Sequence, residues 1–123
     1  MKRGSKGGTR DDLGFYVRST WEANVARYYK WLQSQGNIAK WEYEPCEFEF
    51  PVKRGNRTYK PDFRITENDG RVWYCEVKGY MDNDSRVKLK RMAKYHPGVK
   101  VIVLDGEQYR AIAKHKRLIP GWE

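Results

Sequence analysis

Asp62, Glu76 and Lys78 are the residues of this sequence best suited to chemistry, because Glu76 and Lys78 interrupt a segment that is otherwise aromatic or branched and Asp62 lies a hairpin's length before them. Trp73-Tyr74-Cys75-Glu76-Val77-Lys78-Gly79 reads as a strand. Side chains two apart in a strand project from the same face, so Glu76 and Lys78 point the same way. Asp62 is separated from Glu76 by 13 residues. If that stretch is a hairpin closing around Asn68 to Gly70, the two acids are opposed across it and share a face. Two carboxylates and an ammonium then converge. Hard carboxylate oxygens suit Mg²⁺, and an ion held there beside a cation can act on a phosphodiester. The backbone carbonyl of Val77 and the carboxylate of Glu22 would complete such a shell. For Lys78 we expect an electrostatic and positioning role, because an ammonium flanked by carboxylates keeps its charge. Glu22 carries two readings: it is a candidate ligand, and it is also the last residue of Ser19-Thr20-Trp21-Glu22, which has capping-box spacing.

The elements that must position these groups follow from hydrophobic periodicity. Trp21, Val25, Tyr28, Tyr29 and Leu32 recur at helical intervals up to Gly36 and predict a helix over about 18–35. From Lys40 the period shortens to alternation through Trp41, Tyr43, Phe48, Phe50 and Val52, punctuated by Pro45 and Pro51. A basic turn, Lys53-Arg54-Gly55-Asn56-Arg57, precedes the segment Tyr59 to Ile65. The turn Glu67-Asn68-Asp69-Gly70 leads into the strand Arg71 to Lys78. Ser85 to Tyr95 reads as a cationic helix stopped by His96-Pro97-Gly98, Val99 to Leu104 as a buried strand, and Gln108 to Lys116 as a last helix. The order is that of a mixed α/β domain in which a strand–helix–strand crossover joins the hairpin of the acids to a buried strand.

Composition limits the partner class. The 123 residues suffice for one domain, and 25 basic against 16 acidic residues give a formal charge of +9, which favours a polyanion such as nucleic acid. Cys46 and Cys75 fall in different segments with no CxxC, so neither a disulfide framework nor structural zinc is indicated. With no apolar run of the ~20 residues a membrane span requires, we expect a protein of the cytoplasm, without membrane partners. Residues 1–14, carrying Lys2, Arg3, Lys6 and Arg10 among glycines, are expected to form a flexible basic arm ahead of a single domain over 15–123. Arm cations are candidate DNA contacts, as are Arg86, Lys88, Lys90 and Arg91 of the cationic helix and Tyr80, which could stack on a base.

Pro61-Asp62 followed by Glu76-Val77-Lys78 resembles the PD-(D/E)xK nuclease signature, with Glu22 matching the upstream helical acid of many members. Tyr43-Glu44-Pro45, Tyr59-Lys60-Pro61-Asp62-Phe63, Glu76-Val77-Lys78-Gly79 and His96-Pro97, in that order, resemble the endonuclease I type of phage junction-resolving enzyme and, more loosely, archaeal Holliday-junction resolvases. The resemblance implies a restriction-endonuclease-like fold, a mixed β-sheet core flanked by α-helices. It implies an endodeoxyribonuclease dependent on Mg²⁺, with Mn²⁺ as substitute, that resolves branched DNA as a homodimer in the cytoplasm of a bacterial host. Glu22, Asp62 and Glu76 would be ligands and Lys78 the catalytic cation. Two other readings stay open: a restriction-like, repair or transposition endonuclease of the same fold, and a DNA-binding module without catalysis. His96 and His115 read as isolated residues, and the tryptophans and most tyrosines as core.

Overall fold

A computed structural model of the chain describes residues 6–123. A hairpin of β1 (Gly8–Arg10) and β2 (Phe15–Val17) leads into α1 (Thr20–Ser34), and then come β3 (Lys40–Tyr43), β4 (Phe48–Glu49), β5 (Thr58–Tyr59), β6 (Phe63–Thr66) and β7 (Val72–Val77). The chain ends with α2 (Asn83–Tyr95), β8 (Val101–Leu104), α3 (Gly106–Ala113) and a 3₁₀ turn at Lys116–Leu118. The main sheet has the order β3-β6-β7-β8. Its first three strands are antiparallel, while β8 runs parallel to β7, so α2 is the expected crossover.

Alternation divides the sheet into two faces. Phe63, Ile65, Cys75 and Val77 point to the side covered by α1 and α3, where they meet Trp21, Val25, Tyr29 and Tyr109. Trp21 and Tyr109 stack at 4.1 Å between centroids, fixing α3 against α1. The opposite face carries Asp62, Arg64, Tyr74 and Glu76. It is covered by α2 and the β4–β5 ribbon through a smaller cluster of Phe50, Tyr59 and Met92, with Val101 at its margin. Helices on one side and a helix plus ribbon on the other enclose a mixed sheet, which is an α/β architecture.

Local chemistry accounts for the element ends. Ser19 caps α1 by accepting from the Glu22 N–H, and Gly36, at φ 78°, takes the chain out of the helix. Gly70, at φ 90°, closes the β6–β7 turn with its N–H on the Glu67 carbonyl. The segment Tyr59 to Ile65 is divided between two strands, interrupted at Lys60 to Asp62. Pro61 has no N–H for a ladder, and the Asp62 carbonyl is taken by the Glu44 N–H at 2.7 Å.

The basic arm requires a larger correction. Its first five residues, Lys2 and Arg3 among them, lie outside the described residues, but from Gly8 onward the chain is a paired hairpin rather than a free arm. Arg10 bonds Glu123 at 2.6 Å, and Asp12 takes Arg27 at 2.8 Å. These pairs link residues 113 and 15 apart in sequence. Composition-based expectation overlooked these long-range ion pairs, and with them the packing of Leu13 on the core and of Phe15 on Trp41 and Tyr43.

Candidate active site

The β6–β7 register pairs Phe63 with Cys75 and Arg64 with Tyr74. Carried one residue further, it sets Asp62 opposite Glu76, as the sequence spacing predicts. Phe63 and Cys75 are fully buried on the core face, so alternation sends Asp62, Glu76 and Lys78 to the other side. All three are half-buried.

Each carboxylate has a defined hydrogen-bond partner. Asp62 Oδ2 accepts from the backbone N–H of Val77 at 2.7 Å, and Glu76 Oε1 from the hydroxyl of Tyr59 at 2.7 Å. Glu22 Oε1 accepts from the hydroxyl of Tyr43 at 2.7 Å and Oε2 from that of Ser19 at 2.9 Å. Glu22 therefore does not close back on the Ser19 backbone, and the expected capping box is only half formed: Ser19 caps the helix, while the Glu22 carboxylate serves the site. Among the described residues, no cation lies within ion-pair distance of Asp62, Glu76 or Glu22.

The electrostatics follow. Burial, then the negative charges of Glu76 and Glu22, hold the Asp62 carboxyl well above the usual carboxylate range, against the Val77 N–H and Lys78. Glu76 is raised by burial and Glu22, opposed by the Tyr59 hydroxyl, Lys78 and Lys88. Glu22 is raised by burial and by Glu44, opposed by Tyr43 and Ser19. Three acids that disfavour one another's charge mark a place where like charge is concentrated, as functional sites do.

Sequence reasoning missed three contributors. Tyr59 is almost wholly buried and anchors Glu76; Tyr43 anchors Glu22. Burial and Glu76 raise the Tyr59 hydroxyl, and burial and Glu22 that of Tyr43, so both stay protonated as donors. Glu44 has the left-handed φ of 44° and holds the Asp62 carbonyl, a strained residue at the edge of the site. Its carboxylate pairs with Arg18. The one sequence signal was Tyr59 lying three residues before Asp62 in an alternating segment, which read as core.

The chemistry of this donor set fits a hard divalent cation. Asp62 and Glu76, each with one oxygen outside these hydrogen bonds, and the Val77 carbonyl between Glu76 and Lys78 are the groups that would hold it. As the side chains stand, no three His, Cys, Asp or Glu residues among the described ones form a ligand cluster. Glu22, expected as a third ligand, has both oxygens engaged by hydroxyls. It acts on Asp62 and Glu76 through its charge.

The expected DNA contacts separate into two groups. Lys6, Arg86 and Lys90 are exposed, Lys88 is half-buried near Glu76, and Tyr80 is 74 % exposed just beyond the site. Arg10 and Arg91 are engaged elsewhere: Arg10 with Glu123, Arg91 with the carbonyls of Arg54 and Asn56. Their guanidinium groups hold the fold together and are not free for phosphate. His96 ends α2, where its ring bonds the Glu49 carbonyl and packs on Phe48 and Phe50. Both cysteines are free. Burial pushes the Cys75 thiol up to about 12, so it is an inert core residue.

No family model, curated protein or solved structure matches the chain. Among the described residues, no helix is long and apolar enough to cross a membrane. A cleft of about 190 Å³ borders Asp12 and Arg27, and one of about 300 Å³ lies between α1 and α3. Neither contains a site carboxylate.

Proposed function

We propose that this chain is a metal-dependent DNA endonuclease that hydrolyses phosphodiesters in branched DNA such as four-way junctions, and that it does so as a homodimer in a bacterial cytoplasm. The observation carrying the reading is the opposition of Asp62 and Glu76 across a hairpin, with Lys78 on the same face and the cationic α2 alongside. A mere DNA-binding surface gains nothing from buried carboxylates, which repel the phosphates. The PD-(D/E)xK-like, restriction-endonuclease-like reading belongs to the same proposal; the α/β sheet with its β7–α2–β8 crossover is compatible with it.

In this reading Asp62, Glu76 and the Val77 carbonyl hold Mg²⁺ or Mn²⁺, and Glu22 adds negative potential that favours a divalent ion. Such an ion, when bound, lowers the pKa of water and offsets charge on phosphate. The chain's own groups do the rest. Val77 N–H and the Tyr59 hydroxyl fix the carboxylates, so that little reorganisation is needed on binding. The Lys78 ammonium, on the same face, takes the non-bridging phosphate oxygens and stabilises the charge that develops on them. Paired cuts at a junction need two sites, which a two-fold dimer of one-site chains provides.

The test is cleavage of a labelled four-way junction beside a matched linear duplex, in EDTA, Mg²⁺, Mn²⁺ and Ca²⁺. Mg²⁺ and Mn²⁺ should support cutting of the junction, and Ca²⁺ binding with little cutting, because its looser coordination positions water poorly. Glu76→Gln should abolish cutting but not binding. Full activity in EDTA would end the metal reading. Equal cutting of both substrates would replace the junction reading by a general, restriction-like or repair endonuclease.

A further inference from the structure

The turn between β4 and β5 carries Lys53, Arg54, Arg57 and, just beyond β5, Lys60, all exposed. Among the described residues, no acid lies within ion-pair distance of any of them. The turn is nonetheless fixed. Arg91 of α2 donates to the carbonyls of Arg54 and Asn56, and the Asn56 amide reaches Asp84 near the start of α2 at 3.3 Å. Gly55, at φ 71°, makes the reversal. The other end of the ribbon is the site itself, because Tyr59 of β5 holds Glu76. From Tyr59 to Gly55 the ribbon extends at most ~13 Å, at about 3.3 Å per residue, which matches about four base-pair rises along one DNA strand.

We propose that this turn is a phosphate-gripping rail: Lys53, Arg54, Arg57 and Lys60 hold the sugar-phosphate backbone of a nucleic-acid duplex as it leaves the carboxylates, beside Lys88 of α2. The charge of Lys88 reaches Glu76. Arg91 is the strut that holds the rail to α2. The inference rests on the nucleic-acid part of the reading above but not on catalysis. Fixed cations aligned from a reactive centre outward set the register of a polyanion, and neutralising phosphates releases counterions, which makes the contribution measurable through salt.

The experiment is fluorescence anisotropy of labelled duplex and four-way-junction DNA in EDTA, titrated across salt. It compares the wild type, the variant K53A/R54A/R57A/K60A, and a control, K114A/K116A/R117A, in the turn that follows α3. Since all altered side chains are exposed, the melting temperatures should stay together. The rail variant should reduce the slope of log affinity against log salt by about 2–4, at about 0.9 per phosphate contact, while the control keeps the wild-type slope. An unchanged slope in the rail variant, or an equal reduction in the control, overturns the proposal. For the strut, R91A should both weaken binding and open the turn to trypsin after Arg54 or Arg57. Weaker binding with no new cleavage would make Arg91 a DNA contact instead. A wild type that binds with a rail-dependent slope but never cuts in Mg²⁺ leaves the rail standing and removes the nuclease reading. One that cuts with an unaltered slope in the rail variant removes the rail alone.

Discussion

Replacing Asp62 by Asn should make the metal-free protein more stable, although it destroys the proposed site. Asp62 faces Glu76 and Glu22, and burial together with their charges holds its carboxyl well above the ordinary range. Carboxylates on opposed strand residues, roughly 5 Å apart, repel by ~3 kcal/mol at an effective dielectric of about 20. Partial exposure and the nearby Lys78 reduce this to ~1–2 kcal/mol. Asn has nearly the same shape, and its amide oxygen can keep the Val77 N–H. At about 4 °C per kcal/mol for a chain of this size, Tm should rise by ~4–8 °C in EDTA at about pH 8. A carboxyl with a raised folded value binds its proton more tightly in the folded state. Its favourable contribution is whole below the unfolded value near ~4 and is lost as pH climbs through the folded value. The gain from Asp62→Asn should thus vanish at about pH 3.5 and grow toward pH 8. Mg²⁺ should narrow the gap, because it binds only the wild-type site and adds ~1.4 kcal/mol at ten times its Kd. Differential scanning fluorimetry at several pH values, with EDTA or Mg²⁺, reads all of this. An equal or lower Tm for Asp62→Asn at pH 8 in EDTA would refute the argument that these acids repel.

Tyr59→Phe should lower cleavage at saturating DNA by about tenfold or more, since a hydrogen bond to a charged group is worth ~1.5–3 kcal/mol, and leave DNA affinity near wild type; a wild-type turnover would remove Tyr59 from the site. Glu22→Gln should depress cleavage while Tm holds or rises, because the helix is capped by Ser19; a fall in Tm with unchanged turnover per folded molecule would restore the capping role. Arg27→Met should cost ~2–3 kcal/mol, since a buried guanidinium loses Asp12, Asn24 and Glu123 together. Arg27 and Arg10 hold the Asp12 and Glu123 carboxyls below their ordinary values, so the stability they provide is present above the unfolded pKa and is lost as pH falls through the folded one. The wild-type advantage over Arg27→Met should shrink on acidification, and a gap that widens toward low pH would contradict it.

The parts of this molecule legible in the sequence are those whose physics is local. Alternation in Trp73 to Lys78 and the Glu67 to Gly70 turn fix the β6–β7 register, so the opposition of Asp62 and Glu76 follows from counting. The α2 crossover follows from the order strand, cationic helix, apolar strand, although Val101–Leu104, expected to be a buried strand, lies at the edge of the sheet with only Leu104 buried. What was hidden depends on long separations. Arg10 with Glu123, Arg27 with Glu123, and Arg91 with the carbonyls of the β4–β5 turn connect residues that no periodicity relates. Each looks, in sequence, like one more surface cation. Tyr59 and Tyr43 were hidden for a different reason: a tyrosine whose ring fills the core and whose hydroxyl serves a carboxylate has the pattern of a core residue.

Helix α1 joins two acid networks of opposite character. About one and a half turns separate Glu22 from Arg27. At the first position the carboxylates of Glu22, Asp62 and Glu76 lack an ion pair and rise in pKa; at the second, Asp12 and Glu123 are paired by Arg27 and fall. The second arrangement lets the first persist. With α1 clamped to the hairpin and the C-terminal residue, packed on β6 and β7, and stacked on Tyr109, the carboxylates cannot relieve their repulsion by moving apart. Glu44, held at a left-handed φ while its N–H ties the Asp62 carbonyl, closes the remaining direction. Lys78 and Lys88 offset part of the repulsion; protonation would relieve the rest at low pH, and under the proposed function an added cation would do so above the raised pKa values. In the proposed reading, the repulsion that weakens the empty fold is the same free energy that would favour a divalent ion at Asp62 and Glu76.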